Sequence, residues 1–190
     1  MGAAAAEYAF KDRGWKTAYV LTDNFLSYTT SLSKYFIEHF KTLGGQVLAE
    51  DEYTQGNGDF SKQLSRIREA SDKVDLIYVS SYMPDLGMMI KAIRDSGIAL
   101  PILGGDSYDC QELLGLLGES AGNEVYFVTH GWLGEEAAPG MPAFLSAYQQ
   151  KYGTPPDTAF VVTGWDSIMV LAEAMEAAGG HYALHVDLAL

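Results

Sequence analysis

The chain of 190 residues has a single cysteine, Cys110, so no disulfide forms within it and a disulfide-stapled scaffold is ruled out. Basic residues are few: 12 Lys and Arg stand against 25 Asp and Glu, a net charge of −13. Binding to a phosphate backbone depends on clustered Lys and Arg that displace condensed counterions. The scarcity therefore argues against a nucleic-acid partner, and against docking on an anionic membrane surface for the same reason. No apolar run reaches the roughly 18–20 residues of a membrane-spanning helix. The opening Met1-Gly2-Ala3-Ala4-Ala5-Ala6 lacks the charged leader and long apolar centre of a signal peptide. It reads as an initiator joined to a mature or truncated segment.

What is present is ordinary for a folded protein, with 48% hydrophobic and 19% charged residues. A chain of this length is expected to bury about 70% of its unfolded surface, enough for one self-supporting domain. Cys110 reads as a small buried apolar residue and says nothing of the compartment.

Strand and helix signals alternate. Residues 16–21 are β-branched and apolar, the mark of a buried parallel strand. Residues 26–43 carry Leu32, Phe36, Phe40 and Leu43 at helical spacing, and Gly44-Gly45 supplies a stop. A strand follows at 47–53, then a helix at 60–71 capped by Asp59 or Ser61, with Phe60, Leu64 and Ile67 facing inward. A third strand covers 76–79, and Pro84 opens a helix over 84–96 that Gly97 ends. The pattern predicts strands at 101–103 and 124–128 and helices at 109–117, 141–152 and 159–178, with loops at 134–140 and 153–157. Strands joined through helical crossovers pair in parallel. The predicted fold is α/β: an open, doubly wound parallel sheet of about five strands with helices on both faces, flavodoxin-like or Rossmann-like. Residues 1–180 read as a single lobe and 181–190 as a tail with no counterpart in that pattern.

In such a sheet, ligands bind beyond the carboxyl ends of the strands. The loops there hold Phe25, Tyr28, Tyr82, Asp85, Asp106, Tyr108, Asp109 and Trp132, an aromatic and acidic set. Enzyme signatures are missing. There is no P-loop and no Gly-x-Gly-x-x-Gly fingerprint, and Phe25, Leu26 and Tyr28 would crowd a phosphate after the first strand. A phosphoacceptor domain needs an aspartate ending the third strand, where Ser80-Ser81-Tyr82 stands, and no Gly-x-Ser-x-Gly elbow occurs. No cofactor is expected. His181 and His185 are spaced to share a helix face, but no carboxylate backs them, so no metal is expected either. His39 reads as packed on an apolar helix face, and His130 lies near the loops without a reaction to suggest.

Tyr82 and Asp106 each follow a strand. A carboxylate and a phenol among aromatic rings suit an ammonium group, through charge-assisted hydrogen bonds and a cation–π face. The plainer reading makes Asp106 the cap of a helix beginning near Asp109, with Tyr82 covering apolar surface. Spacing alone leaves both open.

Several stretches recur in order: Arg13-Gly14-Trp15-Lys16-Thr17, Asp23 through Tyr28, Gly58-Asp59-Phe60-Ser61 and Ser80-Ser81-Tyr82-Met83-Pro84-Asp85-Leu86-Gly87. Gly104-Gly105-Asp106 comes next, then Tyr148-Gln149-Gln150-Lys151-Tyr152-Gly153 before Pro155-Pro156. In these the chain, from about Ala3 to Gly180, resembles the type I periplasmic solute-binding proteins of leucine, isoleucine and valine ABC transporters. The resemblance is to the C-terminal lobe of a protein whose two lobes close on a ligand by a hinge.

It implies that Tyr82 and Asp106 hold the ammonium group of an amino acid, that Tyr28 lines the cleft, and that no catalysis occurs. It also implies an absent N-terminal lobe bearing the carboxylate donors, an ABC permease as partner of the intact protein, and a periplasmic or extracytoplasmic location. Because the acid is retained, an α-amino acid is the expected ligand, bound weakly by this lobe alone. The alternative is a lobe that acts as a self-associating scaffold, as a homodimer, with no appreciable ligand binding.

Overall fold

The computed structural model describes residues 1–56 and 58–179. The predicted tail at 181–190, with His181 and His185, lies outside the described residues. The chain forms two compact units, Met1–Thr129 and a second beginning at His130.

The first unit is a five-stranded, all-parallel sheet of order β2-β1-β3-β4-β5. Its strands are β1 (Thr17–Asp23), β2 (Gln46–Tyr53), β3 (Leu76–Ser80), β4 (Ile102–Gly104) and β5 (Val125–Phe127). The helices are α1 (Gly2–Glu7), α2 (Ser27–Thr42), α3 (Ser61–Ala70), α4 (Asp85–Asp95) and α5 (Gln111–Ala121). β1 and β3 are buried almost throughout, which explains why both read as continuous apolar runs rather than alternating ones. Each face of the sheet carries its own core. On one, Tyr19, Leu21, Ile77, Val79 and Ile102 meet Ile67 of α3, Met89, Ile90 and Ile93 of α4, and Leu113 and Leu117 of α5. On the other, Val20, Leu76, Tyr78 and Leu103 meet Phe36 and Phe40 of α2, Ala5 and Ala6 of α1, and Ala9 just after it.

The opening residues differ from the sequence-based expectation. They form a helix that the sequence pattern did not indicate, α1, extended by a π-helical turn at Tyr8–Asp12. Ala5, Ala6 and Ala9 are fully buried, and a Cβ on Gly2 would overlap the Leu32 carbonyl of α2. The small side chains let α1 lie close against α2. Glu7 at its end lies 3.2 Å from the His39 Nε2, within hydrogen-bond distance, so His39 is half-buried and hydrogen-bonded rather than simply packed.

The remaining helix ends follow local chemistry. Gly44 and Gly97, with φ of +99° and +84°, turn the chain out of α2 and α4 in a region that a Cβ disfavours. The Asp59 carboxylate accepts the Ser61 N–H at 3.0 Å at the start of α3, whose N-cap position is Phe60 rather than Asp59 or Ser61. The helical backbone of α5 stops at its predicted end, Leu117: Gly118 (φ 58°, ψ −170°) is non-helical, and a second short helical piece carries the element on to Ala121. Cys110 is half-buried against the first core.

The second unit contains α6 (Met141–Tyr152) and α7 (Phe160–Ala177). Pro142 sits in the first turn of α6, and Gly153 ends it in the left-handed conformation. No helix among the described residues is long and apolar enough to cross a membrane.

Asp75 ties the entry of β3 to that of β1. Its Oδ2 accepts the Lys16 N–H at 2.7 Å, the Thr17 N–H at 2.9 Å and the Thr17 hydroxyl at 2.9 Å. Burial pushes its pKa up, but these hydrogen bonds outweigh burial and hold it below the usual carboxylate value. Asp75→Ala is expected to cost about 1 kcal/mol at neutral pH, the low end for bonds to a charged group because water reaches this one. A carboxylate with a depressed folded pKa stabilises fully above its ordinary value near 3.9 and loses that contribution as pH falls through the folded value. Urea unfolding at a series of pH values should therefore show the deficit of the variant shrinking in acid.

Candidate ligand-binding site

The strand order reverses between β1 and β3: β2 follows β1 on one side, and β3, β4 and β5 extend the other. Loops leaving adjacent strands on opposite courses leave a crevice at their carboxyl ends. Three of the residues singled out from the sequence stand there. Tyr28 is in the first turn of α2, after β1; Tyr82 follows β3; Asp106 begins a 3₁₀ turn, Asp106–Tyr108, after β4.

The Tyr28 hydroxyl donates to Asp106 Oδ1 at 2.8 Å and accepts the Ser107 N–H at 3.1 Å. Tyr82 stands edge-on to the Tyr28 ring, with centroids 6.0 Å apart and planes at 87°, a favoured aromatic arrangement. Asp106 is only 6% exposed and Tyr82 is 47% exposed, so a recessed carboxylate lies beside an accessible ring. Burial pushes the Tyr28 hydroxyl up to about 12, Asp106 adding to that rise and the Ser107 hydrogen bond opposing it. At neutral pH the phenol keeps its proton and remains a donor.

The 3₁₀ turn is held firmly. The Ser107 hydroxyl donates to the Ser81 carbonyl at 2.8 Å, and the buried Tyr108 hydroxyl to the Val79 carbonyl at 2.9 Å. The adjoining loop after β2 is anchored by two buried carboxylates. Asp23 Oδ1 accepts the N–H groups of Phe25 at 3.0 Å and Gln55 at 3.2 Å, and Asp85 Oδ2 accepts that of Gly56 at 2.8 Å. The Tyr53 and Ser81 hydroxyls are hydrogen-bonded to each other between these loops.

The structure also sorts the other loop residues. Asp106 does not cap α5, which starts at Gln111 after Cys110 without a side-chain cap. Asp85 and Tyr108 are buried and structural, and Asp109 accepts the Thr129 hydroxyl at 2.7 Å. Phe25 is exposed near Tyr28 in sequence, whereas Trp132 belongs to the second unit, its indole N–H donating to the Glu135 carbonyl at 2.6 Å. His130, also in the second unit, lies 5.3 Å from the Phe160 ring, edge to face. Ser107 went unnoticed in the sequence, and Gly105 was noted only as part of Gly104-Gly105-Asp106, without a role of its own. Two glycines directly before an acid were the available signal, because they let the turn close against Tyr108 and Tyr28.

The sequence matches the periplasmic binding protein family over residues 1–190. The chain belongs to that family. That family is one of binding proteins and not of enzymes, and the relatives that the chain resembles include branched-chain amino acid binding proteins. A Leu/Ile/Val-binding protein, BraC3 of Rhizobium johnstonii, is 26% identical over 175 residues, covering 92% of this chain and 46% of the relative. The crystal structure of the leucine-binding protein LivK of Thermotoga maritima is similar at TM-score 0.82 and 38% identity, covering 94% of this chain and 49% of that one. LivJ of Streptococcus pneumoniae, solved in complex with isoleucine, gives TM-score 0.79 and 27% identity over 92% and 48% of the two chains. The chain thus spans about half the length of these relatives.

Within this periplasmic binding protein fold, Gly104 has no room for a side chain. A Cβ there would overlap the ring of Tyr108, which is fully buried beneath the turn and bonded to β3. Gly104→Ala is expected to cost about 1–3 kcal/mol by overpacking. Denaturant unfolding checks the stability, and a displaced Asp106 amide resonance would report the disturbed turn.

Proposed function

We propose that the chain forms one wall of an amino-acid site in a periplasmic solute-binding protein, holding the ligand's ammonium group and performing no chemistry on it. The observation that carries this reading is the Tyr28–Asp106 hydrogen bond with Tyr82 edge-on beside it, at the reversal of the strand order. A carboxylate fixed by a phenol among ring faces favours a compact cation over an anion or a neutral amide. The names of the Leu/Ile/Val-binding relatives support an α-amino acid with an aliphatic side chain as the ligand class. In the longer protein, residues 1–180 act as the C-terminal lobe. The other half supplies donors to the ligand carboxylate, hinge closure covers the site, and the loaded protein serves an ABC permease outside the cytoplasmic membrane.

An amide NMR titration with leucine up to millimolar levels tests this. Shifts should gather in the loops of Tyr28, Tyr82 and Asp106 and vanish in Asp106→Asn. A folded sample with no shifts would defeat the reading.

One observation favours a second reading for the rest of the chain. α7 buries only Ala174 and exposes Phe160, Trp165, Ile168, Met169, Val170 and Leu171. Phe144, Tyr148, Trp165 and Ile168 line a groove of about 850 Å³ between α6 and α7. A face of this kind calls for cover. The half of the relatives outside this match would cover it in the longer protein, and a second copy would do so for the 190-residue chain by itself. Sedimentation over a range of concentrations should then show a dimer that the pair Trp165→Asp and Ile168→Asp disperses. A monomer at every concentration would remove self-association from consideration.

A further inference from the structure

We infer that Tyr28 acts as a positioning residue for Asp106, through its hydroxyl, rather than as a side chain whose ring or hydroxyl grips the ligand. The inference rests on the reading of Asp106 as the ammonium acceptor and goes beyond it.

A phenol has one proton to give. That of Tyr28 goes to Asp106 Oδ1 at 2.8 Å, while its oxygen takes the Ser107 N–H at 3.1 Å. One oxygen atom therefore pins two consecutive residues of the turn, and it has no proton left for a ligand. The pin stands on fixed ground. The Thr29 hydroxyl, one residue on, is placed against the carbonyls of Asp23 at 2.5 Å and Leu26 at 2.8 Å, and the Ser80 hydroxyl donates to the Thr29 carbonyl at 2.7 Å. These contacts fix the first turn of α2 to the ends of β1 and β3. Gly105 leaves room for the arrangement, since a Cβ there would come within 3.2 Å of the Tyr28 oxygen and 2.7 Å of a Leu32 methyl.

The backbone of the turn has ties besides Tyr28, from Ser107 to Ser81 and from Tyr108 to Val79. Removing the hydroxyl thus leaves the turn in place and withdraws a hydrogen bond that orients the carboxylate. An ion pair depends on the direction of its acceptor, so the loss falls on ammonium binding and not on the fold. A ring that served only as a wall of the cleft would behave in the opposite way, indifferent to the hydroxyl and sensitive to loss of the ring.

Tyr28→Phe and Tyr28→Leu separate the two roles. In the ligand-free chain, Tyr28→Phe should keep a native amide spectrum and move the side-chain carboxyl ¹³C resonance of Asp106. In leucine titrations it should weaken binding roughly tenfold, the scale of one hydrogen bond to a charged group, and Tyr28→Leu should be little weaker than Tyr28→Phe. Wild-type affinity in Tyr28→Phe with a large loss in Tyr28→Leu would overturn the inference and leave the ring as a wall. An unmoved Asp106 resonance would overturn it as well. A folded wild-type chain that shows no leucine shifts would instead remove the reading of the site, and this inference with it.

Discussion

The parallel pairing of β1 with β3 is the constraint on which the site depends. Ala18 to Thr22 run beside Leu76 to Ser80 in unbroken register, and nearly every side chain on either strand is buried. The seam can hold only if both faces of the sheet are covered, which the chain achieves with α1 and α2 on one side and α3, α4 and α5 on the other. At this seam the winding changes direction, so the loops that carry Tyr28 and Tyr82 leave it along different courses. Asp106, one strand further on, is brought to the same crevice by the pairing of β4 with β3.

Polar groups close the upper end of this apolar seam. Ser80, Ser81, Thr29 and Ser107 use their hydroxyls on nearby carbonyls or on another hydroxyl, and Asp23 and Asp85 collect backbone N–H groups of the neighbouring loops. Buried polar atoms are costly when unpaired and rigidifying when paired. The result is a firm rim from which a recessed carboxylate and an accessible ring are presented side by side. Firmness of that kind favours preorganised recognition, because little side-chain freedom remains to be lost when a ligand arrives.

Much of the fold was legible because its signals are local. The strand at 16–21 and the helix that stops at Gly44-Gly45 depend on hydrophobic period and on a left-handed glycine, and both appear within a residue or two of the expected places. α1 was missed because an alanine run has no contrast between faces, and only contact with α2 reveals which alanines are inside. The helical backbone of α5 ends at Leu117, where the sequence placed it, because Gly118 takes a conformation that a helix cannot hold. At the site, Tyr82 and Asp106 were legible from their places after strands. Their link was not, because it passes through Tyr28, 78 residues before Asp106. The competing role of Asp106 as a helix cap also had to wait for the start of α5 at Gln111.

The alanine face of α1 carries a consequence for how the sequence can vary. Ala5, Ala6 and Ala9 fill their places completely, while Glu7 and Lys11 on the open side bond to each other at 3.0 Å. Side-chain size is therefore free to drift on one flank of this helix and fixed on the other. Among related chains, the outer positions should diverge quickly and the inner ones should alternate only among glycine, alanine and serine. The segment that looks least informative in composition is thus among the most tightly restricted in substitution.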